Sequence, residues 1–236
     1  MLTQTPLRSD AARRPAISHP PISPSPVAPR HDASEPLTQQ MALMGATMSF
    51  ARNAEIFGEN EPADYLYKVI SGAVRTYKIL SDGRRQVGGF YLPGDIFGLE
   101  FAGEHTLAAE AITSVKVLVI KRSALAALAD RDAGTARGLY ALTARELQRA
   151  QARIILLVKS AQERVASFLL EMAERGAGGN AIELPMSRQD IADYLGLTIE
   201  TVSRTLTSLE TAAAIDVPTS RRIVLRNRGA LSRLNG

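Results

Sequence analysis

The chain contains no cysteine and no tryptophan, and only 5% of its 236 residues are aromatic. Without thiols there is no disulfide, no thiolate zinc site, no iron–sulfur cluster and no thiol redox chemistry. That fits a reducing cytoplasm, which is the expected location. Histidine is also scarce: His19 and His31 stand in the N-terminal stretch and only His105 lies in the rest. A lone histidine cannot assemble the His and carboxylate cluster of a metal-dependent jelly-roll enzyme. No Ser-His-Asp set, Walker loop or zinc motif is present either. The expectation is a protein that is not an enzyme and needs no metal or cofactor. No apolar run approaches the roughly 20 residues of a membrane helix. Even the most hydrophobic, IILLV at residues 154–158, is far too short, so no membrane partner is expected.

Proline and acid are present but unevenly placed. Eight of the twelve prolines fall within residues 1–36, beside many Ser, Ala and Arg. Such a segment can neither continue a helix nor join a central strand, and it reads as a disordered tail. It lacks an apolar core, so it is no secretory signal. Net charge is only +4, yet after Asp216 the chain carries Arg221, Arg222, Arg226, Arg228 and Arg233 and no acid at all. Such a basic stripe can neutralise phosphates, although a charge run is more often a solvated surface.

From about residue 50 to 120 the chain reads as short strands split by turns. Strands are predicted at 66–70, 73–79, 87–91 and 114–122. Turns are signalled by Ser71-Gly72, Asp82-Gly83 and Pro93-Gly94. That regularity predicts an antiparallel roll or barrel over residues 37–132. Residues 123–175 then favour helix, being rich in Ala, Leu, Arg and Glu without proline. Over 133–159, Tyr140, Leu147 and Ile154 repeat every seven residues, and Thr143, Ala150 and Leu157 follow three later. This is an a/d seam, which suits either packing on the roll or pairing with a second copy. A homodimer is expected, because a helix this long between two domains keeps a face to cover. A further helix is predicted at 161–175, stopped by RGAGGN.

Residues 160–236 carry the densest pattern. Ser187 with Asp190 three residues on is an N-cap signature for a helix whose apolar face is Ile191, Tyr194 and Leu195. Gly196 suits a tight turn, and Thr198 caps a second helix with Val202, Leu206 and Leu209 on its buried side. Glu200, Ser203, Arg204 and Thr207 then share one polar face that begins in the first turn. A helix-turn-helix reads base edges with that part of its second helix. Arginine forks onto guanine, and a carboxylate accepts from the cytosine amino group. An ordinary surface ion pair between Glu200 and Arg204 is the competing reading. The following AAIDVPTSRRIVLRN predicts a two-stranded wing turning at 218–220, with Arg221 and Arg222 near the DNA backbone. Ser187, Arg188, Thr198, Thr201 and Thr207 complete the candidate backbone contacts, which position without specifying. The closing LSRLNG reads as a tail.

The order of roll, long helix and winged helix-turn-helix, with LGLTIETVSR in the second helix, resembles the CRP/FNR superfamily of bacterial transcription regulators. The resemblance covers residues 45 to 236. Leu195-Gly196-Leu197-Thr198 followed by Glu200, Ser203 and Arg204 resembles its FNR and FixK branch, as does the segment from Glu61 to Glu100. The fold class implied is α+β: a cyclic-nucleotide-binding-like jelly roll, a dimerisation helix and a winged helix-turn-helix. The resemblance implies that Glu200, Ser203 and Arg204, with Ile199 beside them, read a TTGA…TCAA palindrome in double-stranded DNA. It also implies recruitment of RNA polymerase. FNR itself ligates an iron–sulfur cluster through cysteines, which this chain lacks. CRP holds its cyclic nucleotide with an Arg-Ser pair where His105 and Thr106 stand here, and a neutral histidine cannot replace a forked guanidinium. His105 is expected to be a polar surface group in a loop. FixK-type relatives imply activity without ligand, control through synthesis of the regulator, and microaerobic, nitrogen-fixation or denitrification genes. A small-molecule switch in the roll is the alternative. Ser187 is a further candidate regulatory position, because cysteine would fit there almost isosterically. The serine is read either as native or as an engineered replacement.

Overall fold

The computed structural model describes residues 35–100, 103–156, 158–176 and 179–235. The disorder expected of the Pro-rich segment therefore lies outside the described residues, up to residue 34. The chain enters as a helix, α1 (Glu35–Met44), that the proline count had hidden. Its Leu37 and Met41 are fully buried against the roll, so the roll's core begins before its first strand.

Eight strands follow: β1 (Ala46–Phe50), β2 (Glu55–Phe57), β3 (Tyr65–Ser71), β4 (Val74–Ile79), β5 (Arg85–Tyr91), β6 (Ile96–Phe97), β7 (Ala108–Ala111) and β8 (Val115–Lys121). They form two antiparallel sheets, in the orders β1-β8-β3-β6 and β2-β7-β4-β5. The predicted strands correspond to β3, β4, β5 and β8, each within two residues. The inner faces meet around Phe57, Tyr67, Val69, Phe97, Val115 and Val117, the alternation a two-sheet roll requires. Gly72 and Gly83 turn the chain at φ of 84° and 83°. A Cβ on Gly72 would lie 2.3 Å from the Ser114 carbonyl oxygen, so only glycine fits there.

One irregularity decides what the roll presents outward. The β4–β5 register shifts between Thr76 and Tyr77, leaving Gly88 as an extra residue. A bulge of this kind re-aims side chains. Val87 and Phe90, rather than Val87 and Gly89, come to share one apolar cluster outside the roll.

Helix α2 (Arg122–Ala129) leads into α3 (Ala133–Leu156), then α4 (Ala161–Arg175). Ser160 and Glu163 cap α4 reciprocally, which stops α3 from running on. Strand β9 (Ala181–Glu183), helix α5 (Arg188–Leu195), helix α6 (Ile199–Thr211), strands β10 (Ile215–Thr219) and β11 (Arg222–Leu225), and helix α7 (Arg228–Asn235) complete the chain. The wing has a third strand, since β9 pairs with β11. It turns at Ser220 and Arg221 rather than at 218–220, and Pro218 lies inside β10. Pro218 lacks the donor a central strand needs, but β10 is an edge strand. The supposed C-terminal tail is α7, with Leu231 fully buried. Its short length and arginines masked the helical pattern.

The apolar cluster around Val165, Phe168, Leu169, Ile191, Val202 and Leu206 also takes in Ala73, Val87, Phe90 and Ile112 of the roll. The roll and the C-terminal unit therefore share one core, and this fixes α5 and α6 relative to the β4–β5 hairpin.

Candidate nucleic-acid interface

The first helix of the two-helix unit starts with a complete capping box. Ser187 Oγ accepts from the Asp190 backbone N–H at 3.1 Å, and Asp190 Oδ2 accepts from the Ser187 N–H at 2.9 Å. Ser187 Oγ lies 2.7 Å from the same Oδ2. Ile191, Ala192, Tyr194 and Leu195 are buried. Gly196 then adopts φ 63°, ψ 40°, the left-handed cap that lets the chain reverse.

Thr198 caps α6, accepting from the Thr201 N–H at 3.2 Å. Its hydroxyl also meets that of Thr201 at 3.1 Å. Val202, Leu206 and Leu209 are buried, which turns the opposite face outward. Glu200, Arg204 and Thr207 are exposed, Ser203 is half-buried, and Ile199 is 36% exposed beside them. The structure thus brings every candidate base-reading residue onto one accessible face at the start of one helix.

Glu200 and Arg204 form no close ion pair among the described residues. The Glu200 carboxyl is held below its ordinary range by its own backbone N–H and the Thr198 hydroxyl, with Arg204 a smaller influence. Ionised, it can only accept hydrogen bonds, which is what an exposed cytosine amino group requires. Arg188 Nη1 reaches Ser203 Oγ at 3.3 Å, and the Thr207 hydroxyl donates to the Ser203 carbonyl at 3.2 Å.

In the wing, Thr219 Oγ accepts from the Arg221 and Arg222 N–H groups at 3.3 and 3.0 Å. Both arginines are exposed. Arg222 lies 3.6 Å from the exposed Glu183, Arg226 pairs with Asp216 at 2.9 Å, and Arg228 donates to the Gly179 carbonyl. Among the described residues Arg221 and Arg233 have no ion pair. Three of the five arginines of the basic stripe are therefore occupied within the protein, and Arg221 at the wing tip is open to a phosphate.

The long helix leaves its seam uncovered. Tyr140, Leu147 and Ile154 are 78%, 58% and 66% exposed, and Thr143 and Ala150 are exposed too. Leu157 lies outside the described residues. Val158, in the turn that follows α3, is exposed as well.

His105 is not a surface group. It is 1% exposed, its ring stacks on Phe57 at 3.5 Å, and its Nδ1 lies 3.2 Å from Glu100 Oε2. Lone histidines in loops are usually solvated; here the aromatic cluster of Phe57, Tyr67 and Phe97 gives the ring an apolar seat. These residues do not fit a cyclic nucleotide phosphate. Neither His105 nor Thr106, where the family's phosphate-binding pair would stand, offers a guanidinium, and the Glu100 carboxylate beside His105 would repel a phosphate. Among the described residues no three His, Asp or Glu gather as a metal site. Among the described residues no helix is long and apolar enough to cross a membrane.

Sequence reasoning missed the residues that seat this unit. Asp190 is 2% exposed, and its Oδ1 receives Arg75 Nη1 at 2.8 Å and Arg85 Nη2 at 2.7 Å, both from the roll. Arg85 Nε bonds Asp193 Oδ2 at 2.8 Å, and Gln86 Nε2 donates to the Asp193 carbonyl at 2.7 Å. Charges in SDGRRQV and RQDIAD were visible, but nothing in the sequence pairs segments about a hundred residues apart.

The Crp-like helix-turn-helix domain family matches residues 163–234, and the cyclic nucleotide-binding domain family matches residues 47–132. The nitrogen fixation regulation protein FixK of Azorhizobium caulinodans is 50% identical over 210 residues, covering 86% of this chain and 85% of that protein. The FixK of Rhizobium meliloti is 43% identical over 181 residues, covering 76% and 82%. The structure of FixK2 from Bradyrhizobium japonicum superposes with a TM-score of 0.79 at 52% identity, covering 82% of this chain and 98% of that one. The chain belongs to the CRP/FNR superfamily of transcription regulators, in its FixK-type branch, and its helix-turn-helix is a DNA-binding unit.

Proposed function

We propose that the protein is a homodimeric, cytoplasmic transcription activator. It binds a TTGA…TCAA-type palindrome without cyclic nucleotide or iron–sulfur cluster and recruits RNA polymerase at the promoter. The observation that carries this reading is the open face of α6, where Glu200, Ser203 and Arg204 stand together at the helix start with Ile199 alongside. Arg204 forks onto guanine, and Glu200 accepts from the base paired with a neighbouring guanine. Thr198, Thr201, Thr207, Arg188, Arg221 and Arg222 hold the phosphates; Ser187, a further candidate from the sequence, has both its N–H and its hydroxyl taken by Asp190 Oδ2 and has no donor left for one.

The apolar stripe through Tyr140, Leu147 and Ile154 supports the dimer, because two stripes of this kind cover each other. Two copies then present two recognition helices about 34 Å apart, one turn of the duplex. The names of the relatives, nitrogen fixation regulation proteins, support nitrogen-fixation genes as targets, with microaerobic and denitrification genes beside them. Ser187 is a regulatory position in this reading. Anything that displaces its hydroxyl from Asp190 loosens the cap of α5.

One observation favours the second reading, a small-molecule switch. A cleft of about 540 Å³ opens between β5, α3 and α4, with Arg153 over the Tyr194 ring at 5.1 Å. It lies on the side of α3 away from the seam, so a partner helix would not fill it.

Fluorescence anisotropy tests the main reading. Wild-type protein and Arg204→Ala are titrated onto a palindromic and a scrambled duplex over a range of salt. Arg204→Ala is expected to lose the difference between the two duplexes and keep the salt-sensitive binding common to both. Equal loss on both duplexes contradicts the role given to Arg204.

A further inference from the structure

The ion pairs from the roll land on α5, and α5 is the helix on which α6 packs. Arg75 projects from β4 on the same outward side as Tyr77, and Arg85 opens β5 on the side from which Val87 and Phe90 meet the C-terminal core. Asp190 stands at the meeting point. Its Oδ1 takes both arginines, while Oδ2 takes the N–H and hydroxyl of Ser187. Arg75 is itself held by Glu110 Oε1 at 2.7 Å, so its guanidinium is fixed in the roll before it reaches across. Asp193, one turn further along α5, takes Arg85 Nε on its side chain and Gln86 on its backbone carbonyl. Gln189 donates to the other Asp193 oxygen at 2.6 Å. A buried carboxylate bound on both oxygens, with two anchors one helical turn apart, fixes both the position and the rotation of α5.

We propose that Arg75 and Arg85 are positioning residues for DNA recognition: through Asp190 and Asp193 they hold α5, and with it α6, at one fixed angle to the roll and its dimer helix. This rests on the reading of the protein as a dimeric palindrome binder and assigns the residues that set the distance between its two reading heads. A single point of contact would leave α5 free to swivel. Two forked guanidinium groups on carboxylates one turn apart do not. The apolar core shared with Phe90 holds the units together, and the clamp gives them one orientation.

The cysteine-free chain makes the test direct. Lys116→Cys on the exposed face of β8 and Ser208→Cys on the exposed face of α6 accept spin labels, and the distance distribution between them is measured by pulsed electron resonance. In otherwise wild-type protein, with doubly labelled chains diluted in unlabelled ones so that each dimer carries at most one labelled protomer, one narrow distance is expected. Arg85→Met with Asp193→Asn, which leaves Arg75, Asp190 and the capping box in place, is expected to broaden it while the thermal midpoint shows a folded protein. Arg75→Lys, which keeps the charge but loses the fork to Glu110 and Asp190, is expected to broaden it as well.

The second readout is the ratio of affinities for the native palindrome and one with a single base pair added between half-sites. That insertion moves the half-sites about 3.4 Å further apart and rotates one about the duplex axis. Releasing the clamp is expected to cut this ratio by about tenfold, within the range typical of coupling between sites. An equally narrow distance in the variants, a broad one in the wild type, or an unchanged spacing ratio overturns the proposal. Wild-type protein that fails to separate palindrome from scrambled duplex overturns the DNA-binding reading instead, and the distance distribution still decides the clamp.

Discussion

Arg75 Nη1 lies 2.8 Å from Asp190 Oδ1, with side-chain exposures of 11% and 3%, across 115 residues of sequence. Among the described residues it is the most enclosed ion pair between the roll and the helix-turn-helix, and it joins the β4–β5 hairpin to the capping box of α5. Removing one partner of such a pair strands the other charge. Arg75→Met should lower stability by about 3 kcal/mol, the low end for a broken buried pair because Arg85 still faces Asp190. Urea unfolding of the full chain checks this, and a loss under about 1 kcal/mol would show the pair to be weakly coupled.

The seam gives the opposite expectation for stability. Leu147→Glu with Ile154→Glu changes two exposed side chains, so the folded protomer should keep its stability within about 0.5 kcal/mol. Sedimentation should nevertheless show a monomer where the wild type sediments as a dimer, and affinity for the palindrome should fall with it. A dimer that survives both substitutions would place the interface elsewhere.

On the DNA side, Glu200→Ala and Arg221→Ala should fail differently. Glu200→Ala should cost about 1–3 kcal/mol of discrimination at one base pair and leave binding to scrambled DNA intact. Arg221→Ala should weaken binding to every duplex alike and reduce the slope of log affinity against log salt by about 1. Anisotropy on a set of single-base operator variants separates the two. A base-specific effect of Arg221→Ala would move the wing from positioning to reading.

Two glycines at positive φ should also differ. A Cβ on Gly196 would meet Arg164 Nη1 in ordinary van der Waals contact at 3.6 Å, with no clash. Gly196→Ala should therefore cost only the left-handed backbone penalty, about 1–2 kcal/mol. Gly72→Ala adds a clash with the Ser114 carbonyl oxygen at 2.3 Å, and its loss should exceed that of Gly196→Ala in thermal unfolding.

The second half of the fold was readable because its signals are local. Ser187 with Asp190, Gly196, Thr198 and the spacing of Val202, Leu206 and Leu209 each constrain a few neighbouring residues, and together they placed α5, the turn and α6. The Tyr140, Leu147, Ile154 repeat likewise located an exposed stripe. The rest depended on distant partners. Strands β2, β6 and β7 have two to four residues each and exist because other strands pair with them. Helix α1 is held by Leu66, Ile96 and Leu118 of the roll. His105 owes its burial to Phe57, 48 positions away, which no local pattern around the histidine shows. The clamp on Asp190 was hidden for the same reason, since its acid already had a local explanation as a cap.

Specific operator binding without a small-molecule signal is open to direct measurement. The direct measurement is fluorescence anisotropy of the full chain, purified in air and dialysed free of small molecules, on a TTGA…TCAA duplex against a scrambled one at fixed salt. Tight binding to the palindrome, with weak, salt-sensitive binding to the scrambled duplex, is expected. Equal, weak binding to both, with selectivity appearing only when a small molecule is added, would contradict it and make the cleft beside Tyr194 the first place to look for the signal.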